Sequence, residues 1–246
     1  MVKKNFVLAI WRKIKRFFII LIIAQFIYIV LLRWINPPIT VTQLANLVEG
    51  YGLKRNYIDF DEMSPNIRLA VMASEDQLFP NHNGFDVESI KKALSNNQKK
   101  NKRVRGASTI SQQVAKNVFL WQGRTWLRKG LEVYFTFMIE LIWSKERILE
   151  MYLNVAEMGK GIFGVEAASQ AYFKKPANKL TRTEAAMIAA CLPNPKKYTV
   201  KPVSKYTARR YPWIIIQMNN LEGDEDIDQL LTKPEPVKTK KKKKGN

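Results

Sequence analysis

The stretch Gly106-Ala-Ser-Thr-Ile-Ser-Gln-Gln-Val-Ala-Lys-Asn117 reads as a loop that turns into a helix. Thr109 followed three residues later by Gln112 is a capping box, in which hydroxyl and amide satisfy backbone donors at a helix N-terminus. From there Ile110, Val114 and Val118 recur at i, i+4, i+8 as an apolar row, while Gln112 and Lys116 share another face. That second face offers hydroxyl, amide and ammonium donors at a helix N-terminus, an arrangement that suits an anion. An ordinary amphipathic helix would show the same pattern.

The same helical signals recur outward from this stretch. Ser64-Pro65 is a cap and first-turn pair opening a helix toward Ser74, and Thr181-Arg-Thr-Glu184 is a second capping box. Long apolar-periodic runs predict helices over Trp126 to Trp143, Lys145 to Asn154 and Gly164 to Phe173, and Pro193 and Pro195 stop another near Leu192. Strand-like alternation is scarce. The pattern predicts one mainly α domain.

The chain has 246 residues with 46% apolar content, enough to bury a core and too apolar for wholesale disorder. One Cys and one His exclude a disulfide framework and a Cys-rich zinc module. The formal charge of +20 is concentrated at the ends: six Lys/Arg lie in residues 1–16, and seven Lys against Glu235 in residues 233–246. The remaining excess suits an anionic partner, and lipid phosphate serves as well as nucleic-acid phosphate.

Phe17 to Leu32 (FFIILIIAQFIYIVLL) carries no charge and spans about 24 Å as a helix. Trp34 and Ile35 would extend it toward a bilayer core of about 30 Å, with Arg16 and Arg33 snorkelling to the interfaces. No small-residue cleavage site follows, so an uncleaved anchor is favoured over a signal peptide. The Lys/Arg excess before the span predicts a cytoplasmic N-terminus. The expected division is a cytoplasmic segment at 1–16, an anchor at 17–35, a linker with short strands at 36–60, a domain at 61–221 and a charged tail at 222–246. An extracytoplasmic domain leaves no place for nucleic acid.

Three groups of residues could carry chemistry. Ile67, Val71 and Glu75 fall at i, i+4, i+8, so the carboxylate follows an apolar row to a helix C-terminus. Burial and the helix dipole would raise its pKa and make it an effective general base. The alternative is an exposed Glu75-Asp76 pair. Arg124, Arg128 and Glu132 form a second stripe beside Lys129 if the helix reaches back that far; they would grip phosphate, or merely form an Arg128–Glu132 ion pair. Gly159-Lys-Gly-Ile-Phe-Gly164 matches a dinucleotide fingerprint but lacks the strand–turn–helix context, so it reads as a tight turn between helices. His82 and Cys191 read as structural.

In order, these segments resemble the glycosyltransferase family that polymerises peptidoglycan. They are most similar to the monofunctional, membrane-anchored biosynthetic transglycosylases, relatives of the glycosyltransferase domain of class A penicillin-binding proteins. E-D-x-x-F-x-x-H-x-G is complete from Glu75 to Gly84, and G-x-S-T-I-x-Q-Q-x-x-K-N from Gly106 to Asn117. R-K-x-x-E is Arg128 to Glu132, and K-x-x-I-L-E-x-Y-L-N runs from Lys145 to Asn154. Ala107 stands where many members have a second glycine. In the fifth motif Pro212 follows Arg209-Arg210 and predicts a kink in the last helix.

The resemblance implies a lysozyme-like, mainly α fold acting on lipid II and a growing glycan chain. Glu75 would be the general base, with Glu132 as a second carboxylate. Lys116, Arg124 and Arg128, with Lys129 beside them, would stabilise the leaving pyrophosphate. Ser108, Gln112, Gln113 and Asn117 would line the donor site, and Thr109 would also bind substrate. The resemblance implies no obligatory cofactor, with a divalent cation (Mg or Mn) as an optional aid at the pyrophosphate. Membrane lipids, and cell-wall synthesis or division proteins, are the implied partners. No transpeptidase domain is expected. A lytic enzyme of the same fold would have no use for a pyrophosphate-gripping cluster.

Overall fold

A computed structural model describes residues 2–98, 108–123 and 125–232. Helix α1 (Val2–Leu31) leads into α2 (Val41–Val48), strand β1 (Lys54–Arg55), α3 (Pro65–Glu75), α4 (Val87–Gln98) and α5 (Ile110–Phe119). Then follow α6 (Trp126–Ile142), α7 (Lys145–Val155), β2 (Glu157–Gly159), β3 (Ile162–Phe163), α8 (Val165–Phe173), α9 (Arg182–Cys191), α10 (Lys205–Leu221) and α11 (Glu225–Leu231). The mainly α architecture and both capping boxes match the sequence reading.

Helix α3 is the buried centre. Ser64 caps it by accepting from Asn66 N, and Ile67, Leu69, Ala70, Val71, Met72 and Ala73 are all buried. It packs against α9 and α10, which also pack on each other, while α5 lies against α6 and α7. Burying apolar side chains on every face of α3 is what a helix needs when neighbours surround it. The C-terminal end of α3, where Glu75 sits, is thereby fixed from several sides.

Several expectations need correction. The stretch at 36–60 is not a plain linker: Thr40 and Gln43 form a capping box that starts α2, and α2 packs on α5. The anchor helix stops at Leu31, so Trp34 and Ile35 do not extend it. The turn just after the helix is held by Arg147 of α7, which donates to Leu32 O (3.0 Å) and Ile35 O (2.7 Å). Residues 225–231 are a helix rather than tail; Asp224 caps it, Ile227 and Leu230 are buried, and Arg68 donates to Leu230 O at 3.0 Å. The Lys-rich stretch from residue 233 lies outside the described residues.

Gly159 to Gly164 is the fourth case. It contains a hairpin, with β2 antiparallel to β3 and β1 added in parallel, in the order β1-β3-β2. A Cβ at Gly161 would lie 2.2 Å from Tyr51 O, so the second glycine serves a close backbone approach. No phosphate cradle is needed to explain it.

Helix α10 runs unbroken through Pro212. Pro212 and Ala208, whose carbonyl loses its donor there, are both exposed, so water can take the vacated bond.

Candidate active site

Glu75 ends α3, and the two motif segments that follow are stitched together around it. The adjacent Asp76 accepts from His82 Nε2 at 2.9 Å and from Ile110 N at 2.9 Å. Thr109 Oγ1 donates to Gly84 O at 2.7 Å, and Lys145 reaches His82 O and Glu140. Gly84 has φ +82°, and a Cβ there would lie 2.7 Å from Thr136, so only glycine fits. His82 is structural, as expected.

The N-terminus of α5 differs from the anion site anticipated. Ile110 N is already bonded to Asp76, Gln112 N to Thr109 Oγ1, and Thr109 N to Gln112 Oε1. The anion at this helix end is the protein's own Asp76. Thr109 and Gln112 are thus placed in the capping box, which engages the Thr109 hydroxyl and the Gln112 amide oxygen.

Two cavities lie near Gln113. One, about 590 Å³, is lined by Glu75, Asp76, Asp86, Lys92, Ser108 and Trp213 among others. The other, about 290 Å³, is lined by Lys116, Asn117, Thr42, Tyr152, Asn194 and Lys196 among others. Gln113 lines the second and donates from Nε2 to Glu75 Oε2 at 2.9 Å. Asn117 lies 3.5 Å from the Thr42 hydroxyl, which ties α2 to this wall.

Glu75 is half-buried, its carboxyl enclosed by protein while the residue opens on the larger cavity. Burial raises its pKa above the ordinary carboxylate value; the Gln113 hydrogen bond, the Arg210 charge and the Ser74 hydroxyl pull it back, and Asp76 adds to the rise. The Lys116 side chain makes no hydrogen bond or ion pair among the described residues, and its ammonium is mostly enclosed. Burial lowers its pKa, Glu132 and Glu75 oppose that, and Arg128 and Lys129 reinforce it. Its position is therefore within electrostatic reach of both carboxylates and both neighbouring cations.

Helix α6 begins at Trp126 with Thr125 as its cap, and Arg124 lies outside the described residues. Arg128 and Glu132 are buried on its inner face, joined at 2.5 Å, and Lys129 also binds Glu132. The ion pair foreseen as an alternative therefore exists, but it is buried beside Lys116 rather than solvated. Both Glu132 oxygens are occupied by these cations, and no cluster of three His, Cys, Asp or Glu occurs among the described residues. These residues do not fit a divalent cation, and no step is routed through one.

This arrangement has the parts for an alcohol displacing a phosphate leaving group: a proton acceptor of raised pKa, a cleft, and an unpaired cation backed by others. A transglycosylase family model matches residues 41–219. The chain belongs to this family. The transglycosylase chain is 56% identical over 179 residues to the biosynthetic peptidoglycan transglycosylase of Shigella boydii serotype 4, covering 73% of this chain and 74% of that one. It is 50% identical over 214 residues to that of Haemophilus influenzae, covering 84% and 87%. A third, from Yersinia pseudotuberculosis serotype O:3, is 58% identical over 174 residues, covering 71% and 72%.

Sequence reasoning gave no role to several residues of this transglycosylase site. Tyr152 stood inside a quoted motif, Arg210 was present but unassigned, and Trp213 went unremarked. Thr42 and Asn46 fell in the supposed linker. The Thr40-x-x-Gln43 capping box was the available signal for that segment.

Proposed function

We propose that this transglycosylase polymerises lipid II, with Glu75 as general base. The acceptor 4-hydroxyl gives its proton to Glu75 as its oxygen attacks the anomeric carbon of the growing chain. The bond to the lipid pyrophosphate breaks with inversion, and negative charge collects on the departing phosphate. Lys116 lies where it can take that charge, with Arg128 and Lys129 behind it. The observation that carries this reading is the Glu75–Gln113 bond, which links the wall of the carboxylate's cavity to the wall of the one lined by Lys116, whose ammonium has no ion-pair partner among the described residues. Ser108 lines the first cavity and Asn117 the second, where they can position the two sugars.

A lipid-borne substrate also suits the outer surface. The apolar helix Ile10–Leu31 is long enough to span a bilayer, and the Lys/Arg excess before it favours a cytoplasmic N-terminus with the domain outside, in the inner membrane.

Labelled lipid II tests the reading. Wild type should build glycan strands, and Glu75→Gln should still bind the substrate while turning over about 10²–10⁴-fold more slowly. Near-normal polymerisation by that variant removes Glu75 from the reaction. Shortening of finished strands without chain growth would instead favour a lytic enzyme.

A further inference from the structure

Tyr152 of α7 is 1% exposed, and its hydroxyl lies 3.3 Å from Gln113 Oε1, its one hydrogen bond among the described residues. Gln113 in turn donates from Nε2 to Glu75 Oε2 at 2.9 Å. The three side chains form a line running from the core to the cleft.

A glutamine amide has two chemically opposite ends, and an ionised carboxylate can only accept. With the nitrogen end toward Glu75, the oxygen end is left for Tyr152, and the buried phenol proton has its acceptor. In the reversed amide, two oxygens would face each other across the 2.9 Å gap, and the phenol proton would point at an NH₂ group.

We propose that Tyr152 is a positioning residue, whose hydroxyl fixes the Gln113 amide with its nitrogen toward Glu75 and so holds the carboxylate ready to accept a proton. This deepens the reading of Glu75 as the base and rests on it. Burial raises the Tyr152 pKa, so the phenol stays protonated and available as the donor.

The other groups facing Glu75 do not replace this bond. On α3 and its cap, Ser74 lies 3.5 Å away and Asp76 disfavours the charged form. Lys116 of α5 and Arg210 of α10 favour it through their charge. Cys191 of α9 has its thiol pushed up to about 12 by burial and remains neutral. Gln113 is the sole group donating a hydrogen bond to Glu75 at less than 3.5 Å among the described residues.

The test is the pH dependence of lipid II polymerisation by the full chain, with kcat and KM measured separately for wild type, Tyr152→Phe, Gln113→Met and the double variant. Tyr152→Phe should move the acidic limb of kcat upward by about one pH unit, a tenfold loss on the acidic side, with KM little changed. Gln113→Met should move the limb the same way, and the double variant no further than Gln113→Met alone. A Tyr152→Phe loss equal at every pH, or a profile superimposable on wild type, overturns the proposal. Should Tyr152→Phe fail to fold, an unmoved limb in Gln113→Met, which alters the cleft wall, overturns it as well. Glu75→Gln separates the two readings: if that variant stays active, the base assignment fails; if it is inactive while the limb in Tyr152→Phe stays put, only the role of Tyr152 fails.

Discussion

Burial raises the Glu75 pKa above its ordinary 4.5, so between that value and the folded one the native chain holds a proton that the unfolded chain has lost. The stability this proton gives is complete below pH 4.5 and disappears as the pH climbs through the folded value. Above the folded value the ionised carboxylate is therefore a cost to the fold. Glu75→Gln should melt higher than wild type in detergent, by roughly 2–4 °C for each kcal/mol recovered. The difference should shrink as the pH falls toward 4.5. A variant that melts at or below wild type at every pH would contradict the burial argument. Of the site residues, Glu75 was legible because helical spacing put it at the end of an apolar row. The uses of Thr109 and Gln112 were less so: their residue types suit ligand binding, but the capping box claims the same groups first. Tyr152 could not be found by pattern, because the bond that matters links it to a residue 39 positions away.

Among the elements, α3, α6, α7 and α9 were legible from caps and periodicity, which are local. Helix α2 was not, because its polarity is turned inside out. Thr42, Gln43 and Asn46 are buried while Val41, Leu44, Leu47 and Val48 are exposed, so the core-facing rule points the wrong way. Helix α11 was hidden for a different reason, since its acidic first turn resembled a solvated tail although Ile227 and Leu230 anchor it. Helix α10 shows how context overrides propensity. A proline inside a helix costs about 3 kcal/mol relative to alanine, yet α10 continues because its inner face, with Thr207, Ile214 and Met218 buried, is held by α9 and α3. Pro212→Ala restores one backbone donor at an exposed position, so it should raise stability by about 1–3 kcal/mol. Chemical denaturation would check this, and an unchanged or lower midpoint would show that the proline fits α10 better than its neighbours suggest.

Across the whole molecule, the anchor is tied to the domain by hydrogen bonds. Gln25 of α1 donates to Tyr134 of α6 at 3.1 Å, and Trp143 Nε1 donates to Ile29 O at 2.9 Å. On α6 the faces are reversed relative to a water-soluble helix: Arg128, Glu132 and Thr136 point inward, while Trp126, Leu127, Val133, Tyr134, Phe137 and Leu141 point outward. Trp126 is 92% exposed and Leu141 69%, positions that are costly in water and favourable in hydrocarbon. The charge count could not reveal this, since it sees the basic ends of the chain and not which face of α6 is apolar. If the outer face of α6 enters the bilayer beside α1, a carboxylate there would meet hydrocarbon, at a cost of about 2.5–3.5 kcal/mol at depth. Phe137→Asp should then leave the melting temperature in detergent within a few degrees of wild type. In bilayers containing lipid II its polymerisation rate should fall by about tenfold or more, and a detergent-dispersed substrate should restore most of the loss. Equal activity of the two proteins in bilayers would mean that α6 faces water, and that α1 alone brings the site to its substrate.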